Sequence, residues 1–327
     1  MRGRAIGLVL LGVGAFLLAG ALAVRLFLEP ALVKLPLDQT ASPTARGTGI
    51  DFFSIADQEQ LEGLEADVRQ KVQGDPSSEA AGDDVAVWNF GSTITSTDGT
   101  VLNAGTYRVC IDRRTAQAVD CDVDQVDEED VDISGLTLTF PFGTEKKDYE
   151  AFNSTTKKAW PATFEAVEDM EGLEVYRFEV TIPETVVRSL EVPASFAGSD
   201  EDGTVTADVV YSNKRTIWVE PTSGVIVTSE EDPNTVLRGP DGTTGATILA
   251  GHFAGSDQTI ADGVERAKDI RGQITLVKST LPLTTAGLGL LLIVLGAVLI
   301  SRRSRAGVHR DDDDQDVVDT RQVAQVQ

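Results

Sequence analysis

The stretch "YRFEVTI", residues Tyr176–Ile182, puts Tyr176, Phe178, Val180 and Ile182 on one parity and Arg177, Glu179 and Thr181 on the other. A period of two in aromatic and β-branched residues describes a strand with one face in a core and the other in water. "VTADVVY" at Val205–Tyr211 repeats the alternation with Val205, Ala207, Val209 and Tyr211. "LTLTFPF" at Leu136–Phe142 follows it until Pro141, which cannot donate to a ladder and pushes that end to an edge. Half-buried antiparallel strands are expected through the middle of the chain.

Turn chemistry supports this. In "RTIWVEPTSGVIV", Pro221 presets the backbone at the start of a turn and Gly224 takes the left-handed position that closes it. "VCIDRRTAQAV" has the same order of apolar alternation, acid, turn, small polar residues and apolar return, a recurrent hairpin pattern. Residues Gln58–Gln73 are ambiguous, because Leu61, Leu64, Val68 and Val72 suit a helix while the last part of the stretch can pair as a strand. Thr259–Val277 reads as a helix with Thr259 and Asp262 at its start and Ile260, Val264, Ala267, Ile270 and Ile274 at helical spacing. Gly263 and Gly272 weaken it, so packing against the β-rich part must hold it.

The two ends belong to a different solvent. Ala5–Val24 is an apolar run without a charge, long enough to cross about 30 Å of hydrocarbon as a helix. Leu283–Ile300, led in by Leu281 and Pro282, is a second. Arg2 and Arg4 precede the first run, and Arg302, Arg303 and Arg305 follow the second, so both termini are expected in the cytoplasm. The first run imitates a signal peptide, with Ala21-Leu22-Ala23 as a cleavage site, but is longer than the usual apolar core and is read as a retained anchor. The glycines of the spans, Gly7 with Gly12 or Gly287 with Gly296, lack the Gly-x-x-x-Gly register and give no prediction of helix pairing.

Nearly all of the formal net charge of −24 falls between the two runs. An exported domain this acidic repels nucleic acid and anionic lipid surfaces. Outside the cytoplasm the only two cysteines, Cys110 and Cys121, are expected to form a disulfide. With a two- or four-residue loop centred on Thr115 and Ala116, they fall directly opposite in a hairpin, within disulfide reach. A metal clip needs more ligands than His252 supplies, and a redox pair wants closer spacing.

Other residues are weaker candidates. Asp120, Asp122 and Asp124 have the first three ligand spacings of an EF-hand, a weak metal candidate, yet Gln125 replaces the glycine and Val131 the final glutamate. A solvated acidic loop is the plainer account of Asp120–Asp132. Ser154-Thr155-Thr156-Lys157 matches Ser-x-x-Lys without the companion motifs, and His252 in "GHFAGSD" lacks a nucleophile elbow. No catalytic residue and no cofactor is expected. The acidic run Asp311–Asp314 lies in a tail expected to be disordered.

"VCIDRRTAQAV", "FPFGTEK" at Phe140–Lys146, "YSNKRTIWVEPTSGVIV" from Tyr211 and the flanking spans together resemble a family of actinobacterial envelope proteins of unknown function that also carries the name porin PorA family. The resemblance covers nearly the whole chain and implies an envelope location without an established chemistry. A barrel of lipid-facing strands fits the composition poorly, since aromatics are only 6% and the strands are acidic.

The expected organisation is a cytoplasmic N-terminus at 1–4, a transmembrane helix at 5–24, a connector broken by prolines at 25–48 and an extracytoplasmic β-rich domain at 49–258. A helical connector at 259–280, a second transmembrane helix at 281–300 and a cytoplasmic tail at 301–327 complete it. The expected fold class is mainly β, an antiparallel domain between two transmembrane helices in the plasma membrane. The expected role is non-catalytic binding or scaffolding. The partners would be the bilayer, through both helices, and an envelope protein or lipid. The alternatives are lipid or amphiphile handling in an apolar cavity, a porin-type channel, and signal transmission to the tail.

Overall fold

The computed structural model describes residues 2–54, 57–200 and 202–307; the expectations for the tail beyond Gly307, including Asp311–Asp314, lie outside it. The chain divides into two compact units, residues 1–32 with 275 onward, and residues 33–274.

The described residues of the first unit are helical. Helix α1 (Arg2–Ala23) runs through a π turn at Val24–Leu28 into α2 (Glu29–Leu32). Among the described residues, two helices have the length and composition to cross a membrane. The second, α4 (Leu281–Gly307), packs antiparallel along α1. Two glycine pairs set the approach, Gly7 against Gly296 and Gly14 against Gly289. A Cβ at Gly14 would lie 2.6 Å from the Gly289 carbonyl oxygen, and one at Gly296 would lie 2.7 Å from that of Gly7. The register is one of seven residues on both helices, not four, so each glycine returns to the same face after two turns. Leu8, Phe16, Leu283 and Leu290 point outward and remain exposed.

The second unit is antiparallel β-structure. Its strands are β1 (Thr40–Ala41), β2 (Thr44–Ser54), β3 (Glu59–Gly74), β4 (Val85–Ser96), β5 (Val101–Asp112), β6 (Gln125–Val126) and β7 (Glu129–Asp130). They continue with β8 (Tyr149–Asn153), β9 (Lys158–Met170), β10 (Leu173–Pro193), β11 (Thr204–Val219), β12 (Ile226–Glu231), β13 (Asn234–Arg238) and β14 (Thr244–Gly255). All belong to one sheet, ordered β7-β6-β5-β4-β3-β2-β14-β12-β11-β10-β9-β8, with β1 on β3 and β13 between β11 and β14. Single bridges Ile111↔Ala118, Gln117↔Leu136 and Leu136↔Ala151 link the arm after β5 to β8, and so bring the two ends of the sheet together. The closed face holds one large core that includes Val109, Ile111, Phe140, Phe178, Ile217 and Val219. Aromatic rings fill much of it, with Phe140 and Phe178 at 4.8 Å and Phe140 and Tyr149 at 5.4 Å.

Tyr176–Ile182 lies in β10 with Phe178, Val180 and Ile182 buried, as its alternation predicts. The opposite parity of β10 is also buried at its start. Helix α3 (Asp257–Thr275) covers Leu173 and Val175 with Val264 and Ala267. Gly263 lets it lie close, since a Cβ there would meet the Val227 carbonyl oxygen at 2.5 Å. The glycine that weakens the helix alone is what docks it.

One open choice is settled and three details differ from the sequence reading. The ambiguous stretch is strand over Glu59–Gly74, because β2 and β4 pair along both its edges. Leu136–Phe142 is not a regular strand. Its backbone bonds instead to the tip of the β11–β12 hairpin, with Phe140 N–H donating to Gly224 O at 2.9 Å and Gly143 N–H to Thr222 O at 3.1 Å, while Phe140 plugs the core. Pairing begins at Thr40, inside the stretch 25–48, where the helix continues through Pro30 to Leu32 and the chain around Pro36 and Pro43 is extended and free to pair. Helix α3 starts at Asp257, capped by the Ser256 hydroxyl, which accepts the Thr259 N–H at 3.2 Å; Thr259 itself ties back to the Thr44 carbonyl at 2.7 Å.

Candidate functional site

Cys110 lies in the buried stretch Val109–Ile111 of β5 and is disulfide-bonded to Cys121, with Cα atoms 6.3 Å apart. They are not directly opposite. Asp112 N–H donates to Gln117 O at 2.8 Å and Val119 N–H to Cys110 O at 2.9 Å, so Cys110 faces Val119 and Cys121 lies two residues further on. The Asp112 carboxylate sets this register by accepting the Arg114 and Thr115 N–H groups at 2.9 and 2.8 Å, which starts the loop one residue earlier than expected. The β11–β12 hairpin has the same turn. Glu220 N–H donates to Val225 O and its carboxylate accepts the Ser223 N–H at 2.7 Å. Ala116 (φ 58°) occupies the left-handed position that Gly224 (φ 71°) fills there.

Beside the disulfide lies Asp124, 5% exposed. Its Oδ1 accepts the Cys110 N–H at 2.8 Å and touches the Cys121 sulfur at 3.3 Å, while Oδ2 is buried with no partner. Burial pushes its carboxyl up to about 6; the Cys110 N–H opposes this, and the nearby charges of Asp120 and Asp132 add to it. Asp120 and Asp122 are exposed and do not converge on Asp124 as a ligand set. Among the described residues, the one trio of acid and sulfur atoms within 4.8 Å is Cys110, Cys121 and Asp124, whose sulfurs are already bonded to each other.

His252 pairs with Asp232 at 2.8 Å on the surface. Lys157 pairs with Glu129, so the Ser-x-x-Lys match forms no nucleophile and base couple.

A polar group inside the β-domain escaped the sequence reading. The inward row of β11 runs Tyr211, Asn213, Arg215, Ile217, Val219. Glu231 of β12 faces Arg215 in register, with the Arg215 Nε 3.8 Å from its Oε1, and accepts the Asn213 amide N–H at 3.2 Å. Asn153 donates to the Tyr211 hydroxyl at 3.2 Å, and Trp160 donates to Thr156 at 2.9 Å. Across the interior stands Tyr107, its ring 4.8 Å from Phe90 and 6.2 Å from Phe152. Burial pushes both phenols up, Tyr211 to about 12 with help from Glu231, while Arg215 opposes the shift at Tyr107. Arg215 Nε and Asn213 Oδ1 are buried and make no hydrogen bond within the geometric limits. The signal was present in "YSNKRTIWV", where Asn213 and Arg215 share the parity of Ile217 and Val219.

A shallow depression of ≈ 330 Å³ over β3, β4 and β5, bordered by Arg69 and Lys71, is open to solvent and contains none of these groups.

The sequence model of a family described as Porin PorA matches residues 6–298. A Porin PorA of Corynebacterium amycolatum is 27% identical over 296 aligned positions, covering 70% of this chain and 77% of that protein. A Porin PorA of Corynebacterium resistens is 23% identical over 411 aligned positions, covering 94% of this chain and 98% of that protein.

Proposed function

The chain belongs to the Porin PorA family, and from that premise we propose that it is a non-catalytic, double-anchored envelope protein whose β-domain binds a ligand or partner outside the cytoplasm. The observation that carries this reading is the outer face of the sheet. Arg177 pairs with Glu168 at 2.7 Å, Lys214 with Glu179 at 3.0 Å and Arg238 with Glu184 at 2.9 Å, all on strands that a pore through lipid would turn toward hydrocarbon. Charges in the middle of a lipid-facing strand cost about 2 to 4 kcal/mol each, so the helices are the parts suited to the bilayer. In this reading α1 and α4 cross the plasma membrane, residues 1–4 and 301–327 face the cytoplasm, and the acidic domain lies outside, where the disulfide is kept oxidised.

The relatives are named porins. For this chain, conduction by its own strands would require an apolar outer band. Two measurements test the reading together. A membrane-impermeant thiol reagent applied to intact cells should label a cysteine introduced at Glu128 and spare one introduced at Ser304; the reverse pattern would refute the placement. Purified full-length chain in a planar bilayer should show no conductance that survives removal of α1 and α4. Conductance retained by the β-domain alone would replace this proposal with the channel reading.

A further inference from the structure

We propose that Asp124 guards the Cys110–Cys121 disulfide: its charge opposes both the thiolate that attacks Cys121 and the thiolate that must leave from Cys110, so the folded domain keeps the bond once it has formed. This goes beyond the reading of the β-domain as a binding module and holds whatever that module binds.

The two sulfurs are unequally placed. Cys110 is fully buried and Cys121 is partly exposed, so a reducing thiol meets the bond at Cys121. In such an exchange the incoming thiolate bonds to the Cys121 sulfur, the S–S bond breaks, and its electron pair goes to Cys110, which departs as a thiolate. Both ends of this displacement face the same carboxyl group. Asp124 Oδ1 lies 3.3 Å from the Cys121 sulfur, and an Asp124 carboxyl oxygen lies within 4.8 Å of both sulfurs. A negative charge there repels an anionic nucleophile and makes the Cys110 thiolate a poorer leaving group, while burial of Cys110 denies that thiolate water. The charged groups that bear on Asp124 are Asp120 and Asp132, both acids, and Asp122 stands exposed beside Cys121, so the surroundings add to the repulsion.

The fold holds the carboxyl group in this place. Cys110 N–H donates to Asp124 Oδ1 at 2.8 Å, and Asp124 N–H donates to Cys121 O at 3.2 Å. In the unfolded chain these contacts are absent and the cysteines exchange freely, so the bond forms during folding and is protected afterwards. What it protects is the closure of the sheet. The arm between the cysteines carries Gln117, bridged to Leu136, and Ala118, bridged to Ile111.

The test is the rate of reduction of the full chain in detergent micelles by mercaptoethanol and by cysteamine, whose ammonium group offsets the charge of its thiolate. Released thiols are alkylated and counted by mass, and Cys110 and Cys121 are the only cysteines in the chain. At pH 8, Asp124→Asn should be reduced at least tenfold faster than wild type by mercaptoethanol and by a smaller factor by cysteamine, with no lower urea midpoint. A merely loosened loop would speed both thiols equally. If the variant does not fold, the wild type carries the test against the disulfide-closed peptide of residues 108–121, which lacks Asp124. Burial pushes the Asp124 carboxyl up to about 6, so the protein's rate per thiolate, relative to the peptide, should fall at least tenfold from pH 5 to pH 8. Equal rates for wild type and variant with mercaptoethanol, equal acceleration with both thiols, or a ratio to the peptide that is constant across this pH range would overturn the proposal.

Discussion

Asp124 is a carboxyl held next to a disulfide with one oxygen satisfied and the other buried alone. Its folded value of about 6 lies above that of an unfolded aspartate, so the folded state holds the proton more tightly. The associated stability is full below the unfolded value and is lost as pH rises through about 6, a loss of about 1 to 3 kcal/mol between pH 4 and pH 7. Asp124→Asn keeps an acceptor for the Cys110 N–H and should remove this component. Urea midpoints of the two proteins across that range should therefore differ in slope, and parallel curves would sink the account. Replacing both Cys110 and Cys121 by serine should lower stability by about 3 kcal/mol from loop closure, read from the same urea curves. The cysteine pairing was legible from compartment and count, whereas the burial of Asp124 was not. Its spacing to Asp120 and Asp122 suggested a ligand row, but only the fold turns one of the three inward.

At the scale of elements, the two matched hairpins make opposite demands on one backbone position. Gly224 has φ 71°, and a Cβ there would fall 2.0 Å from the Phe140 carbonyl oxygen; Ala116 tolerates φ 58° with its methyl in the core. Gly224→Ala should cost at least about 2 kcal/mol, and Ala116→Gly should change stability by less than about 1 kcal/mol, both measured by thermal unfolding. Equal effects would show that the turn itself, not the contact with Phe140, sets the requirement. The helix pair gives a second contrast. Gly14→Ala and Gly289→Ala each force a methyl against a facing carbonyl and should destabilise the pair in micelles by about 1 to 3 kcal/mol. Gly12→Ala and Gly20→Ala meet nothing within 4 Å and should not. The glycines were visible in the sequence, but the search for a four-residue register passed over a seven-residue one. "LTLTFPF" failed for a related reason. Alternation marks which residues want burial, and it does not say whether the backbone finds a ladder or a hairpin tip.

For the whole molecule, the chain divides into residues 33–274 and a second unit whose described residues are helical. Freed of both spans, the strongly acidic residues 33–274 should stay monomeric in buffer without detergent, because net charge opposes association, whereas the full chain should not. Sedimentation of the two proteins checks this, and aggregation of the excised unit would mean that an apolar surface outside the helices had been missed. The amino-acid sequence by itself determined the two apolar helices, the antiparallel β character between them and the family. The first two follow from local properties, namely run length, period and turn residues, that need no partner to be read, and the family from a resemblance carried by several motifs in one order. Tertiary structure alone decided the closure of the sheet through Leu136, the strand at Gln58–Gln73, the offset of the disulfide register and the meeting of Arg215, Asn213 and Tyr107 across the interior. Those depend on which distant segment supplies the opposing edge or face, and a pattern of period two is silent on its partner.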